Sequence, residues 1–442
     1  MREFSMNRSP KALFSLVLGV AALLLCAFVV RGRLGNHTLS LDEELDSAKG
    51  LGLPVSAAEL ESKLSVPSNQ NAAPGYLKII ELIRQDADLR HGLVAIQDGS
   101  FEDASPKSIE AAVAVLPIVT PALKATAEAA ALPHCAFPQP WADAHKLGFP
   151  EVSRLKKLAQ ALAFDAWQKS ERGDWRGALA EIASAEKVGY HIGEEPTMIA
   201  FAARNFCETN TQRMFARVIQ RNRNDGAFLI AAQETNAHFS PLSDPRRPLL
   251  GETVMGISAI DKAQSIQEFE GGNTPPADKG VEDSVITSDE RQLMKAKLLH
   301  ACRETYKALP SDPERWEQIK QVGGDMENKV QADKSPENMP ALVRFPHVSV
   351  LGEGLARMEM RRRQTDTELR LLQERLKTGK FPAALPSAWM TASDPFSRKP
   401  FGYRVEGDGF TLYSVGADGV DNGGVPRTTT RRKDYDEIVK IS

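Results

Sequence analysis

Asp394-Pro395-Phe396, Phe401-Gly402-Tyr403 and Leu412-Tyr413-Ser414-Val415-Gly416-Ala417-Asp418-Gly419-Val420-Asp421-Asn422-Gly423-Gly424, closed by Asp434-Tyr435-Asp436, form the most informative stretch of this chain. Phe401, Tyr403 and Val405 alternate with polar positions, Gly407-Asp408-Gly409 offers a turn with positive φ, and Phe410 to Val415 returns. Two short antiparallel strands are expected. Working back toward the N-terminus, Leu351, Leu355, Met358, Thr365, Leu369, Leu372 and Leu376 step by three and four, which draws one apolar stripe along a long helix. Gly379 is its expected end. Residues 351–442 therefore read as a small α+β unit, a helix laid across an antiparallel sheet.

The order helix, Gly379-Lys380-Phe381-Pro382, Asp394-Pro395-Phe396, aromatic strand, Tyr413-Ser414-Val415-Gly416-Ala417-Asp418-Gly419 and Asp/Asn/Gly loop resembles the globular domain of type II secretion major pseudopilins. In that family the loop after the last strand binds a calcium ion that stabilises the fold, so the resemblance implies a structural calcium here. The residue types also suit calcium, which takes six to eight oxygens in forgiving geometry. Asp418 and Asp421 supply carboxylates, Ser414 and Asn422 neutral oxygens, and Asp434 or Asp436 can close the site from the tail. The same Asp-Gly and Asn-Gly pairs also suit a metal-free turn. A pseudopilin joins this domain directly to an apolar polymerising helix, whereas here a long body intervenes and the helix carries Arg357, Arg361, Arg362 and Arg363. It is not a membrane span, and fibre formation is not implied with the fold.

The body, residues 76–345, reads as α-helical. Its clearest part is Leu155 to Ile192, where two apolar-patterned segments flank Gly173-Asp174-Trp175 and must form an antiparallel hairpin. Gly173-Asp174-Trp175-Arg176-Gly177-Ala178-Leu179 resembles the inter-helix turn of a tetratricopeptide repeat, so the body is expected to be repeat-like. Helices are also expected at Tyr76–Arg84, Ile109–Leu116, Pro121–Ala131, Thr197–Arg221, Ala227–Asn236, Ser288–Leu309 and Pro313–Val322. Residues 240–285 read as loop-rich. Residues 31–75 read as a polar linker with two short helices, the second capped by Ser56.

At the N-terminus, residues 1–11 are basic and Ala12–Val30 runs without a charge, long enough to cross a hydrocarbon core. The expected topology is a signal anchor in a bacterial inner membrane, with residues 1–11 cytoplasmic and the bulk outside. A cleaved signal peptide is the alternative. Leu25 before Cys26 does not fit a lipobox, and the run lacks the early Glu of prepilin helices.

The chain has 55 Lys and Arg against 58 Asp and Glu, a net charge of −3, which argues against a nucleic-acid partner. The runs Arg361-Arg362-Arg363 and Arg431-Arg432-Lys433 read as solvated faces. Cys135, Cys207 and Cys302 are too far apart for a disulfide framework and read as buried small residues. His-Glu-x-x-His, Gly-Lys-Ser/Thr and Gly-x-Ser-x-Gly motifs are absent. Ser153–Lys156 and Ser184–Lys187 match Ser-x-x-Lys but lack companion motifs, and His134, Cys135 and His145 do not have zinc spacing. The expected protein is mainly α, non-enzymatic and membrane-anchored. It would act through protein–protein contacts near a type II secretion or pilus-like assembly. A periplasmic hydrolase with a site in the helical body, or a helical-repeat scaffold with a groove around Leu155–Arg221, are the alternatives.

Overall fold

A computed structural model describes residues 39–100, 104–266, 285–389, 393–425 and 437–441. The expected span Ala12–Val30 and the tail acids Asp434 and Asp436 lie outside these residues. The protein is mainly helical, with a three-stranded antiparallel sheet near its C-terminus. Its helices are α1 (Leu41–Gly50), α2 (Ala57–Leu64), α3 (Ala73–Gln85), α4 (Ala87–Gly99), α5 (Pro106–Ala130), α6 (Pro150–Glu171) and α7 (Trp175–Ile192). They continue as α8 (Met198–Asn222), α9 (Gly226–Ala237), α10 (Arg247–Lys262), α11 (Ser288–Ala308), α12 (Trp316–Ala332), α13 (Met339–Arg344) and α14 (Ser349–Thr378).

Helices α6 and α7 form the expected hairpin. Gly173 turns the chain at φ 85°, a conformation that a Cβ disfavours, and the Asp174 carboxylate accepts from Gly177 N at 2.9 Å to cap α7. Three consecutive pairs, α4–α5, α6–α7 and α8–α9, stack so that the first helices α4, α6 and α8 lie side by side. The second helices α5, α7 and α9 form a parallel row. Helix α6 sits in the middle and is buried nearly all round, including Leu155, Leu158, Leu162 and Phe164.

Helix α5 merges the two expected segments into one, carrying Pro117 and Pro121 within it. Among the described residues it is the one helix long and apolar enough to cross a membrane. In the fold it packs on α3, α4 and α7, with Leu116, Val119 and Leu123 buried.

The stretch read as a linker is docked from residue 41 onward, because its few apolar residues, Ala48, Leu53 and Leu60, are buried. Helix α1 lies on α11, where Glu44 accepts from Arg303 Nε at 2.6 Å. Ser56 caps α2 as expected, accepting from Glu59 N. Within the stretch read as loop-rich, Arg247–Lys262 is a helix. Its Pro248 sits in the first turn, where a missing N–H loses no helical bond.

Helix α14 ends at Gly379, with φ 80°. It packs on α8, α9 and α12 on one side and on the sheet on the other. Its approach to α12 depends on Gly352, since a Cβ there would lie 2.3 Å from the Trp316 carbonyl oxygen. The sheet order is β1 (Gly402–Glu406), β2 (Gly409–Ser414), β3 (Glu437–Ile441). Strands β1 and β2 form the expected hairpin, with Tyr403 opposite Leu412, and β3 adds an edge that pairs Ser414 with Glu437. Phe410 and Leu412 of β2 and Leu369 and Leu372 of α14 share one buried cluster with Leu158 and Phe215 of the body. The core thus runs without a break across the boundary expected near residue 350.

The Arg361-Arg362-Arg363 run is not a solvated face. Arg362 donates from Nε and Nη2 to Glu208 at 2.7 and 2.9 Å and from Nη1 to the Ser240 carbonyl at 2.7 Å. Glu186, 3.5 Å from Arg362, accepts from Ser240 N and Oγ at 3.1 Å each. Burial opposes ionisation of Glu208, but the Arg362 guanidinium holds its carboxyl below the usual range. Glu186, buried and facing Glu208, is pushed up. Arg361 bonds Thr209 Oγ1 at 2.9 Å and, with Arg357, pairs with Glu437 at the start of β3. Removing one member strands a buried charge, which typically costs about 3–5 kcal/mol, whereas removing both with apolar residues is often close to neutral. Urea denaturation of Glu208→Leu is therefore expected to show a loss of about that size, with much of it recovered in Glu208→Leu/Arg362→Met.

Candidate functional site

The expected calcium residues divide between two places. Ser414 is fully buried, and its hydroxyl donates to Asp394 Oδ1 at 2.9 Å. Asp394, 1 % exposed, also accepts from Val415 N, Phe396 N and the Ser397 hydroxyl. Burial pushes its carboxyl above the usual range, and these bonds oppose that shift. Asp394 thus ties the Asp-Pro-Phe turn to the end of β2, and the Ser414 hydroxyl is engaged twice, donating to Asp394 and accepting from Gly416 N at 3.1 Å. Within that loop Asp418 Oδ1 accepts from Val420 N at 3.0 Å. Asp421 Oδ1 accepts from Gly423 N at 2.8 Å and from the Tyr413 hydroxyl at 3.1 Å. Asn422 Nδ2 donates to the Val420 carbonyl. Asp418, Asp421 and Asn422 therefore share one exposed loop, Ser414 is buried beside it with its hydroxyl engaged by Asp394 and Gly416 N, and Asp436 lies outside the described residues. Among the described residues no group of three or more His, Cys, Asp or Glu gathers at metal-binding spacing. Two carboxylates and an amide fall short of a calcium shell by themselves.

Other titratable groups gather where the 132–141 segment crosses α3 and the end of α7. The Glu194 carboxylate accepts from His134 Nδ1 at 2.9 Å and Cys135 N at 2.6 Å. Glu195 accepts from Phe137 N at 3.3 Å, and burial pushes its carboxyl up to about 7. His191 lies 2.8 Å from the Tyr76 hydroxyl, and burial holds its imidazole neutral, down to about 3. Of the sequence cluster His134, Cys135 and His145, the first two are thus part of a brace that pins this segment, whereas His145 Nδ1 lies 3.2 Å from the Ser258 hydroxyl of α10. Glu195 and His191 are 4 % and 0 % exposed, too enclosed to meet a substrate in this state. A further buried acid, Glu368 on α14, has no hydrogen-bond partner among the described residues, and burial raises it to about 8. Cys135, Cys207 and Cys302 are buried free thiols, as their spacing suggested.

A groove of about 820 Å³ runs along the second helices of the three stacked pairs. Ala127 and Ala130 of α5, Leu179 and Ala183 of α7, and Ala231 and Thr235 of α9 line it. Small side chains keep it open, and Phe239 and Ser240 close one end. Trp175 stands at its edge with the Arg176 guanidinium stacked 4.1 Å over its ring and Phe228 edge-on at 5.9 Å. Ser184 and Lys187, the Ser-x-x-Lys pair, also line it, but they do not face each other in a bond. Ser184 Oγ donates to the Ala180 carbonyl and Lys187 Nζ to the Pro133 carbonyl.

No protein-family model, no curated protein and no solved structure matches the chain. The groove was only partly readable from sequence. Alanines at Ala127, Ala130, Ala183 and Ala231 resemble ordinary helix packing, and only the stacking of three pairs turns them into one surface.

Glu195 and Glu368 carry a testable consequence. Between about pH 4.5 and pH 7–8 the folded chain holds protons there that the unfolded chain, titrating at the ordinary 4.5, has released. Stability must fall as pH rises through that window, by up to about 1.4 kcal/mol per pH unit for each group. In urea denaturation at pH 5 and pH 8, Glu368→Gln is expected to lose less stability across the interval than the wild type. Equal losses would contradict the assignment.

Proposed function

We propose that this chain is a non-enzymatic, extracytoplasmic bacterial protein, anchored through Ala12–Val30, that acts by holding a segment of a partner protein in the groove between α5, α7 and α9. The observation that carries the reading is the groove itself. Three stacked helix pairs present alanines, Leu179 and Trp175 interleaved with Arg176, Lys187, Glu234 and His238, a mixed surface suited to an inserted amphipathic peptide or helix. The Gly173-Asp174-Trp175 turn and the side-by-side rows of first and second helices support a repeat-like description of the body.

The C-terminal residues support a pseudopilin-like unit through the order of α14, the Asp394 turn, the β1–β2 hairpin and the glycine loop. A type II secretion or pilus-like assembly is accordingly the setting proposed for the partner. Calcium in the Asp418–Asn422 loop belongs to the same proposal. Asp418 and Asp421 each use one oxygen on a local backbone N–H and have a second that no described bond engages.

Two experiments test these statements. A photo-crosslinking residue at Ala183 in the native membrane is expected to capture a defined protein, and Ala183→Trp, which fills the groove without touching the core of α7, is expected to abolish binding of that protein to the purified chain. Capture unaffected by filling the groove would contradict the reading. For the metal, a ligand that binds only the folded state raises its melting temperature. The full chain is expected to melt several degrees higher in millimolar calcium than in chelator, and unchanged melting would remove calcium from the proposal.

A further inference from the structure

Next to the 132–141 brace, with Glu194 common to both, a cavity of about 440 Å³ opens between the end of α7, the 241–246 segment, Lys63 of α2 and Tyr306 of α11. Its charged residues are Lys63, Arg246, Arg247, Asp244 and Glu194, with Arg204 behind its wall. Arg246 and Asp244 neutralise each other at 2.6 Å. The Glu194 carboxylate is turned to His134 and Cys135 N, as described above, and what Glu194 offers Arg247 is its carbonyl oxygen, which accepts from Nε at 2.8 Å and also from Nη2. Arg204, 1 % exposed, is likewise held by neutral groups, the Pro241 carbonyl at 2.6 Å and the Ser243 hydroxyl. Its Nε has no acceptor, and its guanidinium lies 5.1 Å over the Tyr190 ring. Lys63 donates to the Gly52 carbonyl at 3.0 Å.

Three cations are thus positioned by carbonyl and hydroxyl oxygens instead of by carboxylates. Arg247 and Lys63 line the cavity itself, and an anion that enters it would be stabilised by both. Behind the wall, the charge of Arg204 is offset by its neighbours Glu208 and Glu186. Tyr190 and Tyr306 wall the cavity, and neither phenol has a hydrogen-bond partner among the described residues. From this arrangement we infer that the cavity binds a small oxyanion, a phosphate or phosphate monoester, with Arg247 and Lys63 as its direct cations. Arg247 Nη1 has no acceptor among the described residues, and the volume suits a phosphate with a small organic group.

The inference is independent of the groove proposed for a partner. Isothermal titration calorimetry of the full chain in a non-ionic detergent, with inorganic phosphate and with phenyl phosphate as probes, is the direct test. Saturable binding is expected, weakening with added salt. Losing a charge-assisted hydrogen bond should weaken it by about tenfold or more in Arg247→Ala. Because Arg247 also steadies the Glu194 carbonyl, the exposed Lys63→Ala is the second variant, expected to weaken binding severalfold with the melting temperature unmoved. Arg176→Ala, in the groove, is expected to leave binding unchanged. Absence of saturable binding by either probe at millimolar concentration, or binding indifferent to both Arg247→Ala and Lys63→Ala, would overturn the inference.

Discussion

The buried contact between Arg362 and Glu208 is the constraint from which much of this structure follows. Two charges taken out of water are tolerated only if both are fully engaged, and each here is. Arg362 spends its donors on Glu208 and the Ser240 carbonyl, and Glu186 closes the set through Ser240 N and Oγ. Three helices, α7, α8 and α14, and the segment after α9 therefore meet at one point with little freedom to shift. Neighbouring arginines extend the lock outward, Arg361 to Thr209 and, with Arg357, to Glu437 on β3.

The groove depends on the same lock. Ser240 and Phe239 close its end, and both are placed by the bonds that Glu186 and Arg362 make to residue 240. The Arg362 guanidinium also lies 5.6 Å from the Phe239 ring centroid. A change in how α14 seats on the body would accordingly change the width of the surface offered between α7 and α9. Structural charge and candidate function are in this sense carried by the same residues.

What could be read from sequence was local. The turn at Gly173-Asp174, the Ser56 cap, the stripe of α14 from Leu351 to Leu372, the helix end at Gly379 and the β1–β2 hairpin each rest on residues a few positions apart, and each stands in the fold, whereas Leu376, the last residue of the expected stripe, is exposed. What escaped depends on distant partners. The arginine run looked solvated because Glu186 and Glu208 lie some 150 positions away in sequence, and β3 was missed because its pairing partner β2 is separated from it by the long tail. Residues 240–285 read as loop-rich because Pro and Gly flank the segment, whereas Pro248 starts α10 in its first turn. At the candidate calcium loop, Asp418, Asp421 and Asn422 do share a turn, but the engagement of Ser414 by Asp394 could not be inferred from the string alone.

If α14 is the shared spine of body and sheet, the chain from α4 to β2 must open as one cooperative unit. Native-state hydrogen exchange under increasing denaturant measures this most directly. The amides of α8, the middle of α14 and β2 are expected to converge on a single opening free energy, and Arg362→Met should lower all three together. A C-terminal unit whose β2 and α14 amides open well before α8, leaving the stacked pairs protected, would contradict the account.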